Sequence, residues 1–257
     1  MSMKDMLICL KRGKLIDIMN YGISRIHYDF FVGGGISGYD DRYQSQFGQD
    51  FFLDRYIFHK KENGVFIDIG ANHPVKLNNS FFFEKTRHWS GIAFEPQSIM
   101  NRLWTKDIRS TECLPYALGA YECEVEFTEM DAHVMSGVSN ALKNDNLVVN
   151  KKYKVQQKRL SDVLEERNIK KVDFMSIDVE GYEMQVLSGI DFDKVDIQCI
   201  VIENDKHRRG LGSSRLRQWI CKHGDYVLIA RLTSDDVYVK KDFWENLCKG
   251  IEKCVVP

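Results

Sequence analysis

Short apolar runs alternate with stretches of helical spacing along most of the chain after Gln46. Runs rich in β-branched and aromatic residues, each closed by polar residues, predict buried strands. These strands are expected at Val65–Ile69, Gly91–Phe94, Glu112–Leu118, Cys123–Thr128, Asp173–Ile177, Ile197–Ile202, Tyr226–Ala230 and Val237–Val239. Helical spacing is found at Gln49–His59, Asn79–Thr86, Ser98–Lys106, Asp162–Arg167, Tyr182–Leu187 and Leu216–Cys221. Because strands alternate with helices, the pattern predicts an α/β domain with a largely parallel sheet.

Three local features add to this pattern. Pro115 interrupts the third strand and makes part of it an edge, because proline cannot donate to a ladder. Ser161 is expected to cap the helix that follows it. Residues 130–152 are polar and poorly periodic, which predicts a mobile surface loop over the site.

Residues 1–43 form a distinct leader, and residues 44–257 form the predicted main domain. Apolar residues recur in the leader at near-helical spacing, at Met6, Leu7, Leu10, Leu15, Ile18 and Met19. We expect a cap on the domain, with a homodimer or partner contact as the alternative. Charges interrupt the first apolar stretch, which argues against a secretory signal peptide.

Composition narrows the class of protein. The 36 basic and 37 acidic residues nearly balance, so no global field draws the chain to nucleic acid. No apolar run is long enough for a membrane span. The seven cysteines form no C-x-x-C pair, which indicates reduced thiols and a cytoplasmic protein.

The run Phe66–Asn72 ends in Asp68-Ile69-Gly70, and the chain then breaks. The first strand of a doubly wound domain presents its carboxyl end to a nucleotide-like ligand in this way. A single glycine does not provide the G-x-G-x-x-G that a pyrophosphate needs. The motif therefore favours S-adenosylmethionine (SAM) over a nicotinamide dinucleotide.

Acids follow most of the predicted parallel strands, where ligands bind in open sheets. Glu95 closes the second strand and can accept hydrogen bonds from two ribose hydroxyls. Asp178 and Glu180 close the fourth strand, and their alternation predicts that both point the same way. The alternative for Glu180 and Glu183 is that they complement the dipole of the next helix.

Three motifs together resemble those of the FkbM-type SAM-dependent methyltransferases: Asp68–Asn72, Glu95-Pro96 and Ile177–Glu183. The segments Ser45–Asp50 and Leu232–Lys240 are also similar to members of that family, so the resemblance covers roughly residues 45–240. It implies a class I, Rossmann-like fold with a mostly parallel seven-stranded sheet, an antiparallel last strand and helices on both faces. It also implies O-methylation, often of a sugar hydroxyl. The chain departs from the family at Asn78-Asn79-Ser80, where Ser-Asn-Thr is expected.

The resemblance implies two sets of cofactor-binding residues. Those at the methionine end of SAM are Asp68, Gly70 and Asn72. Those around the ribose and adenine are Glu95, which holds the ribose, and Pro96, Ala117 and Leu118, which border the adenine.

A sugar hydroxyl is a poor nucleophile and gains about 10²–10⁴-fold from a general base. Asp178 and Glu180 are the first candidates for this catalytic role, with His73 as the alternative base or as a structural loop histidine. Asp178, Glu203 and Asn204 could instead hold Mg²⁺, which would lower the pKa of the hydroxyl. A basic cluster around His207 suits an anionic acceptor or simple solvation.

The sequence therefore predicts a SAM-dependent O-methyltransferase that acts on a saccharide, a glycoconjugate or a similar small molecule. A nicotinamide-dependent oxidoreductase is the rival enzyme, and a non-catalytic module that keeps the fold is the rival class. A nucleic-acid methyltransferase is disfavoured, because the chain has no basic aromatic stripe.

Overall fold

The computed structural model describes residues 41–132, 135–142, 148–204 and 214–255. The strands in these ranges are β1 (Val65–Ile69), β2 (Ser90–Phe94), β3 (Glu112–Leu114), β4 (Ala117–Leu118), β5 (Cys123–Met130), β6 (Gly137–Val138), β7 (Val149–Lys158), β8 (Lys171–Ile177), β9 (Asp196–Glu203), β10 (Tyr226–Leu232) and β11 (Asp235–Lys240). The helices are α1 (Gln49–Phe52), continued by a π-helical turn (Leu53–Ile57), α2 (Phe81–Arg87), α3 (Ser98–Asn101), α4 (Leu160–Glu166), α5 (Glu183–Ser188), α6 (Ser214–His223) and α7 (Lys241–Val255).

Seven strands form the main sheet, in the order β10-β11-β9-β8-β1-β2-β3. Neighbouring strands from β9 to β3 run parallel, whereas β11 lies antiparallel to both β9 and β10. The prediction of an α/β fold with a mostly parallel seven-stranded sheet is thus confirmed. The β1 bounds match the predicted run, because its interior residues are buried on both faces.

Successive residues of β1 pack into different cores, because side chains alternate across a strand. Ile67 joins a cluster that contains apolar residues of α4, α5 and α6. Phe66 joins an aromatic cluster on the other face, together with residues of α1, α2 and α7. The helices therefore cover both faces of the sheet, and the sheet edge at the strand ends remains for a ligand.

A second, four-stranded sheet has the order β4-β7-β5-β6. Its inner face forms a small core with Tyr182, which lies just before α5. The hydroxyl of Tyr182 donates to Oε1 of the buried Gln157 at 3.0 Å, and Ser98 donates its amide to the Tyr153 hydroxyl at 3.2 Å. The small sheet thus contacts the loops after both β2 and β8.

Several predicted elements differ from the structure. The expected third strand is divided at Pro115, and Ala117–Leu118 joins the small sheet rather than the main one. Residues 130–152 are not a single loop, because β6 and the start of β7 lie within them. Ser161 lies inside α4 and accepts a hydrogen bond from the Asp191 amide, so its predicted capping role is wrong. Helix α7 was not predicted.

Some predictions fall outside the described residues. These include most of the leader, residues 133–134 and 143–147 of the polar stretch, and the basic cluster around His207. The division of the chain at residue 43 therefore stays a prediction. Within the described ranges, no helix combines the length and apolar character that a membrane crossing requires.

Candidate active site

The carboxyl ends of β1, β2, β3 and β8 are held side by side by main-chain hydrogen bonds. Gly70 and Ala71 donate their amides to the Phe94 carbonyl, at 3.0 and 3.1 Å. Asp178 donates its amide to the Ile69 carbonyl at 3.0 Å, and Glu95 extends the pairing to β3. The candidate residues at the ends of β1, β2 and β8 are therefore neighbours in space.

Gly70 is required by the packing of two strand ends. Its φ is +76°, and a Cβ built there would lie 1.7 Å from the Asp178 carbonyl oxygen. Any side chain would therefore push the β8 end away from β1. This close approach explains the glycine without a ligand, which differs from the role that the sequence suggested.

Glu95 is almost fully buried at the end of β2, with 4% of its surface exposed. Its Oε2 accepts the Asn72 amide at 2.7 Å, and its Oε1 accepts the Gln97 amide at 2.6 Å. Burial raises the pKa of this carboxyl to about 7, although the two amide hydrogen bonds oppose the shift. Each oxygen keeps a lone pair, so the carboxylate can still accept from two further donors.

Asp68 is tied into a polar network beneath the loop after β1. Its Oδ2 accepts from the Ser80 hydroxyl at 2.6 Å and from Asn78 Nδ2 at 3.1 Å. Burial raises the pKa of Asp68, while the Ser80 hydrogen bond and the Arg109 charge lower it. The fully buried Arg109 also contacts Asn78 and Ser80 and pairs with Glu84 at 2.6 Å. The departure from the family pattern at residues 78–80 thus still supplies partners for Asp68.

Asn79 differs from its two neighbours in this loop. Its Nδ2 donates to the Ser176 hydroxyl at 2.9 Å, which attaches the loop to β8. Its Oδ1 is buried and has no hydrogen-bond partner among the described residues. A buried acceptor without a donor is uncommon in proteins and needs a physical explanation.

Asp178, Glu180 and Glu203 form an acidic cluster at the ends of β8 and β9. One carboxylate oxygen of each lies within 4.8 Å of the others. The Asp178 side chain is accessible to solvent, but surrounding protein lowers its hydration and raises its pKa well above the ordinary value. Nearby carboxylates raise this pKa further, Glu180 first and then Asp235. Asp178 is therefore a better proton acceptor than an ordinary surface aspartate.

Glu180 lies in a strained turn that the small sheet covers. Its φ is +55°, in the left-handed region, and Gly181 follows with a φ of +101°. Glu183 accepts the Gly181 amide at 2.8 Å, which supports the structural interpretation of Glu183. A Cβ on Gly137 in β6 would lie 3.4 Å from the Glu180 Cβ, so this part of the polar stretch does lie against the site.

Asn204, predicted with Asp178 and Glu203 as a metal ligand, has a structural partner. Its Nδ2 donates to Asp236 Oδ2 at 2.8 Å, and its carbonyl accepts from Arg231 at 2.9 Å. Asp236 is fully buried and pairs with both Arg231 and Arg217. Glu180 joins Asp178 and Glu203 in the acidic cluster, and Asn204 as a metal ligand stays a prediction.

His73 is held by its own turn. Its Nδ1 accepts the amides of Val75 and Lys76, both at 3.0 Å. Burial, followed by the Lys76 charge, lowers the pKa of the ring. The neutral ring therefore carries its proton on Nε2, and its lone pair is already used. This geometry favours the structural role over the catalytic one.

Pro96, Ala117 and Leu118 are the residues predicted to border the adenine. Pro96 is half-buried, whereas Ala117 and Leu118 in β4 are almost completely buried. Ala117 packs in the core of the small sheet and Leu118 in the core of the main sheet. Their contact with an adenine stays a prediction.

Asp235 was not recognised in the sequence. It is paired with Glu203 across the antiparallel ladder, so the start of β11 lies at the same edge as the acidic cluster. Its Oδ2 accepts from Gln49 Nε2 at 2.5 Å, which connects α1 to the site. Asp235 could have been found from the sequence only if the antiparallel last strand had been placed next to β9.

Comparison with known proteins gives one informative match. The methyltransferase FkbM domain matches residues 68–227, from β1 into β10, which is well over half of the chain. No curated protein matches the chain significantly.

Among solved structures, the chain is similar to the plantazolicin methyltransferase BpumL in complex with S-adenosylhomocysteine (SAH). The identity is 11%, the coverage is 95% of this chain and 71% of that one, and the TM-score is 0.29. A complex of the same enzyme with a triazolic desmethylPZN analog and SAH gives 13% identity, 93% and 78% coverage and a TM-score of 0.30. An identity and a TM-score this low do not show a shared activity.

Proposed function

The chain belongs to the FkbM methyltransferase family, and from that premise we propose that it transfers a methyl group from SAM to a hydroxyl of a saccharide, a glycoconjugate or a similar small molecule. The strand order, with a single antiparallel strand between β9 and β10, supports a class I methyltransferase fold. The observation that carries the proposal is Glu95, a buried carboxylate at the end of β2 held by two main-chain amides.

The residues around Glu95 fit an adenosine that lacks phosphates. The two amide hydrogen bonds fix the carboxylate while leaving lone pairs for the two ribose hydroxyls. Gly70 is the single glycine at the end of β1, and no phosphate-binding G-x-G-x-x-G follows it. The buried Asn79 oxygen is a further acceptor at this edge of the sheet.

Bound SAM supplies an electrophilic methyl group on a sulfonium. The protein then has to orient the acceptor hydroxyl in line with that methyl and remove its proton. Asp178 has a raised pKa and remains accessible to solvent, so we assign it as the general base. Glu180, close to Asp178 in the cluster, is the second catalytic candidate.

A divalent cation is a second way to activate the hydroxyl. The predicted ligands Asp178 and Glu203 lie together, with Glu180 as the third oxygen donor. Mg²⁺ binds oxygens at about 2.1 Å, so two of its ligands lie at most about 4.2 Å apart. The cluster, whose oxygens span up to 4.8 Å, would have to tighten. Loss of activity in EDTA and its return with Mg²⁺ would support the metal, and full activity in EDTA would exclude it.

Two further predictions remain proposals. Cytoplasmic residence rests on thiols that form no C-x-x-C pair, and a homodimer rests on the apolar pattern of the leader. Light scattering of the purified chain measures the mass of the particle and decides between monomer and dimer.

Calorimetric titration with SAM, SAH and NAD tests the proposed function. We expect micromolar binding of SAM and SAH and no binding of NAD. Binding of NAD alone would favour the oxidoreductase, and binding of none would favour a non-catalytic module.

With binding established, transfer of a labelled methyl group from SAM to a panel of simple glycosides tests the acceptor class. Labelled O-methyl products support a saccharide acceptor, whereas products labelled on nitrogen or carbon would contradict O-methylation.

A further inference from the structure

Asn79 carries a buried acceptor that the fold does not use. Its Nδ2 donates to Ser176, whereas its Oδ1 has no donor within the described part of the chain. Both neighbours are engaged in the protein: Asn78 and Ser80 hydrogen bond to Asp68 and to Arg109. The fold therefore uses residues 78 and 80 for structure and leaves the oxygen of residue 79 for another donor.

The place of Asn79 matches one end of the proposed cofactor. Ser176 and Asp68 are paired across β8 and β1, so Asn79 lies over the two central strands of the sheet. Asp178 is two residues further along, about 6–7 Å for an extended chain. A ligand with its ribose on Glu95 and its methyl beside Asp178 would have its amino-acid end in this region.

We propose that the Asn79 side chain binds the amino-acid end of SAM, with Oδ1 accepting a hydrogen bond from the α-ammonium group. This inference rests on the proposed function. An ammonium group has three donors and no acceptor, so it is matched by a neutral amide oxygen that lacks a donor.

Three ligands separate this role from a structural one. SAH carries the whole amino acid, its decarboxylated aminopropyl analogue keeps only the ammonium, and 5′-methylthioadenosine carries neither. In Asn79→Ala, we expect the Kd of SAH and of the aminopropyl analogue to rise about 10-fold or more. The Kd of 5′-methylthioadenosine should change less than about twofold.

Two further variants keep the experiment decisive. Asn79→Asp retains an acceptor oxygen and should bind the aminopropyl analogue, which has no carboxylate to be repelled, at least as tightly as the wild type, even if Asn79→Ala folds poorly. Gln198→Ala removes another buried amide, which donates to Asp196 at 2.7 Å near the opposite end of β9, and should leave all three Kd values unchanged.

Equal weakening of all three ligands in Asn79→Ala would overturn the proposal, because it would show a structural role. Unchanged binding of SAH would overturn it too, because it would show that the Asn79 oxygen makes no contact with the ligand. If the wild type binds none of the three ligands, the proposed function fails rather than this assignment.

Discussion

Glu95 and the Asp178 cluster are both carboxylates at the carboxyl ends of parallel strands, yet their surroundings differ. Glu95 is buried, and two main-chain amides fix its orientation. Asp178 is accessible to solvent, and neighbouring carboxylates rather than donors dominate its surroundings. The first environment suits permanent recognition of neutral hydroxyl groups. The second suits a group that takes up a proton or a cation during the reaction.

The largest expected effect separates chemistry from binding at Asp178. Asp178→Asn keeps the size of the side chain but removes the base, so we expect kcat for methyl transfer to fall about 10²–10⁴-fold. The Kd of SAH should change less than about threefold, because Asp178 is not proposed to hold the cofactor. A large loss of SAH affinity without a loss of kcat would reverse the roles of the two regions.

Glu95 should show the opposite behaviour. Glu95→Gln replaces a charged acceptor of two ribose hydroxyls, so we expect the Kd of SAH to rise about 100-fold in calorimetry. Glu112→Gln is the matched control, since Glu112 forms an exposed pair with Arg167 at the start of β3. Unchanged affinity for SAH in Glu95→Gln would show that the ribose does not bind at this strand end.

The raised pKa of Glu95, about 7, makes cofactor binding depend on pH. Ribose hydroxyls donate to the ionised carboxylate, so affinity should level off only above about pH 8, where the group is almost fully ionised. It should fall about fivefold between pH 7 and pH 6, as the carboxyl gains a proton.

The stability of the free protein should depend on pH in the opposite direction. Burial disfavours the charged form of Glu95. The contribution of its protonated form to the free energy of unfolding is therefore fully present below the ordinary carboxyl pKa, and it is lost as pH rises through about 7.

Calorimetry of SAH binding from pH 5.5 to 8.5 checks this dependence. Glu95→Gln should remove the slope, because no other group is required to titrate. A slope that persists in the variant would assign the dependence to another residue.

The smallest effect is expected at His73. His73→Ala removes an acceptor for two turn amides, so we expect a loss of about 1 kcal/mol in the free energy of unfolding and a kcat within about twofold of the wild type. Chemical denaturation and the methyl-transfer assay measure the two quantities. A kcat that falls 100-fold with unchanged stability would make His73 the base in place of Asp178.

The sequence predicted the strands whose own residues form an apolar run or an alternating pattern, and it missed β6 and β7. Val65–Ile69 is a continuous apolar run, so its bounds follow from its own residues. The strand β7 has mostly exposed polar residues, and the sequence predicts no strand there: its first residues, 149–152, lie in the predicted loop, and 153–158 belong to no predicted element. Its order comes from pairing with β5, where Lys152 and Lys154 form diagonal ion pairs with Glu126 and Glu124. Such long-range pairing cannot be seen in a local pattern.

The same limit applies to the site. The acids that follow parallel strands could be predicted, because all of those strands end at one edge. Asp235 begins an antiparallel strand, so its position at this edge depends on where β11 inserts. The uses of Gly70 and Asn204 were also hidden, because they follow from contacts with Asp178 and Asp236 that lie far away in sequence.

A crystal structure of the chain with SAH tests the division between these two regions most directly. We expect both ribose hydroxyls within hydrogen-bond distance of Glu95, and the sulfur beside Asp178 with the acidic cluster on its acceptor side. SAH bound with its ribose away from Glu95, or with its sulfur remote from Asp178, would show that the two regions do not divide binding and chemistry in this way.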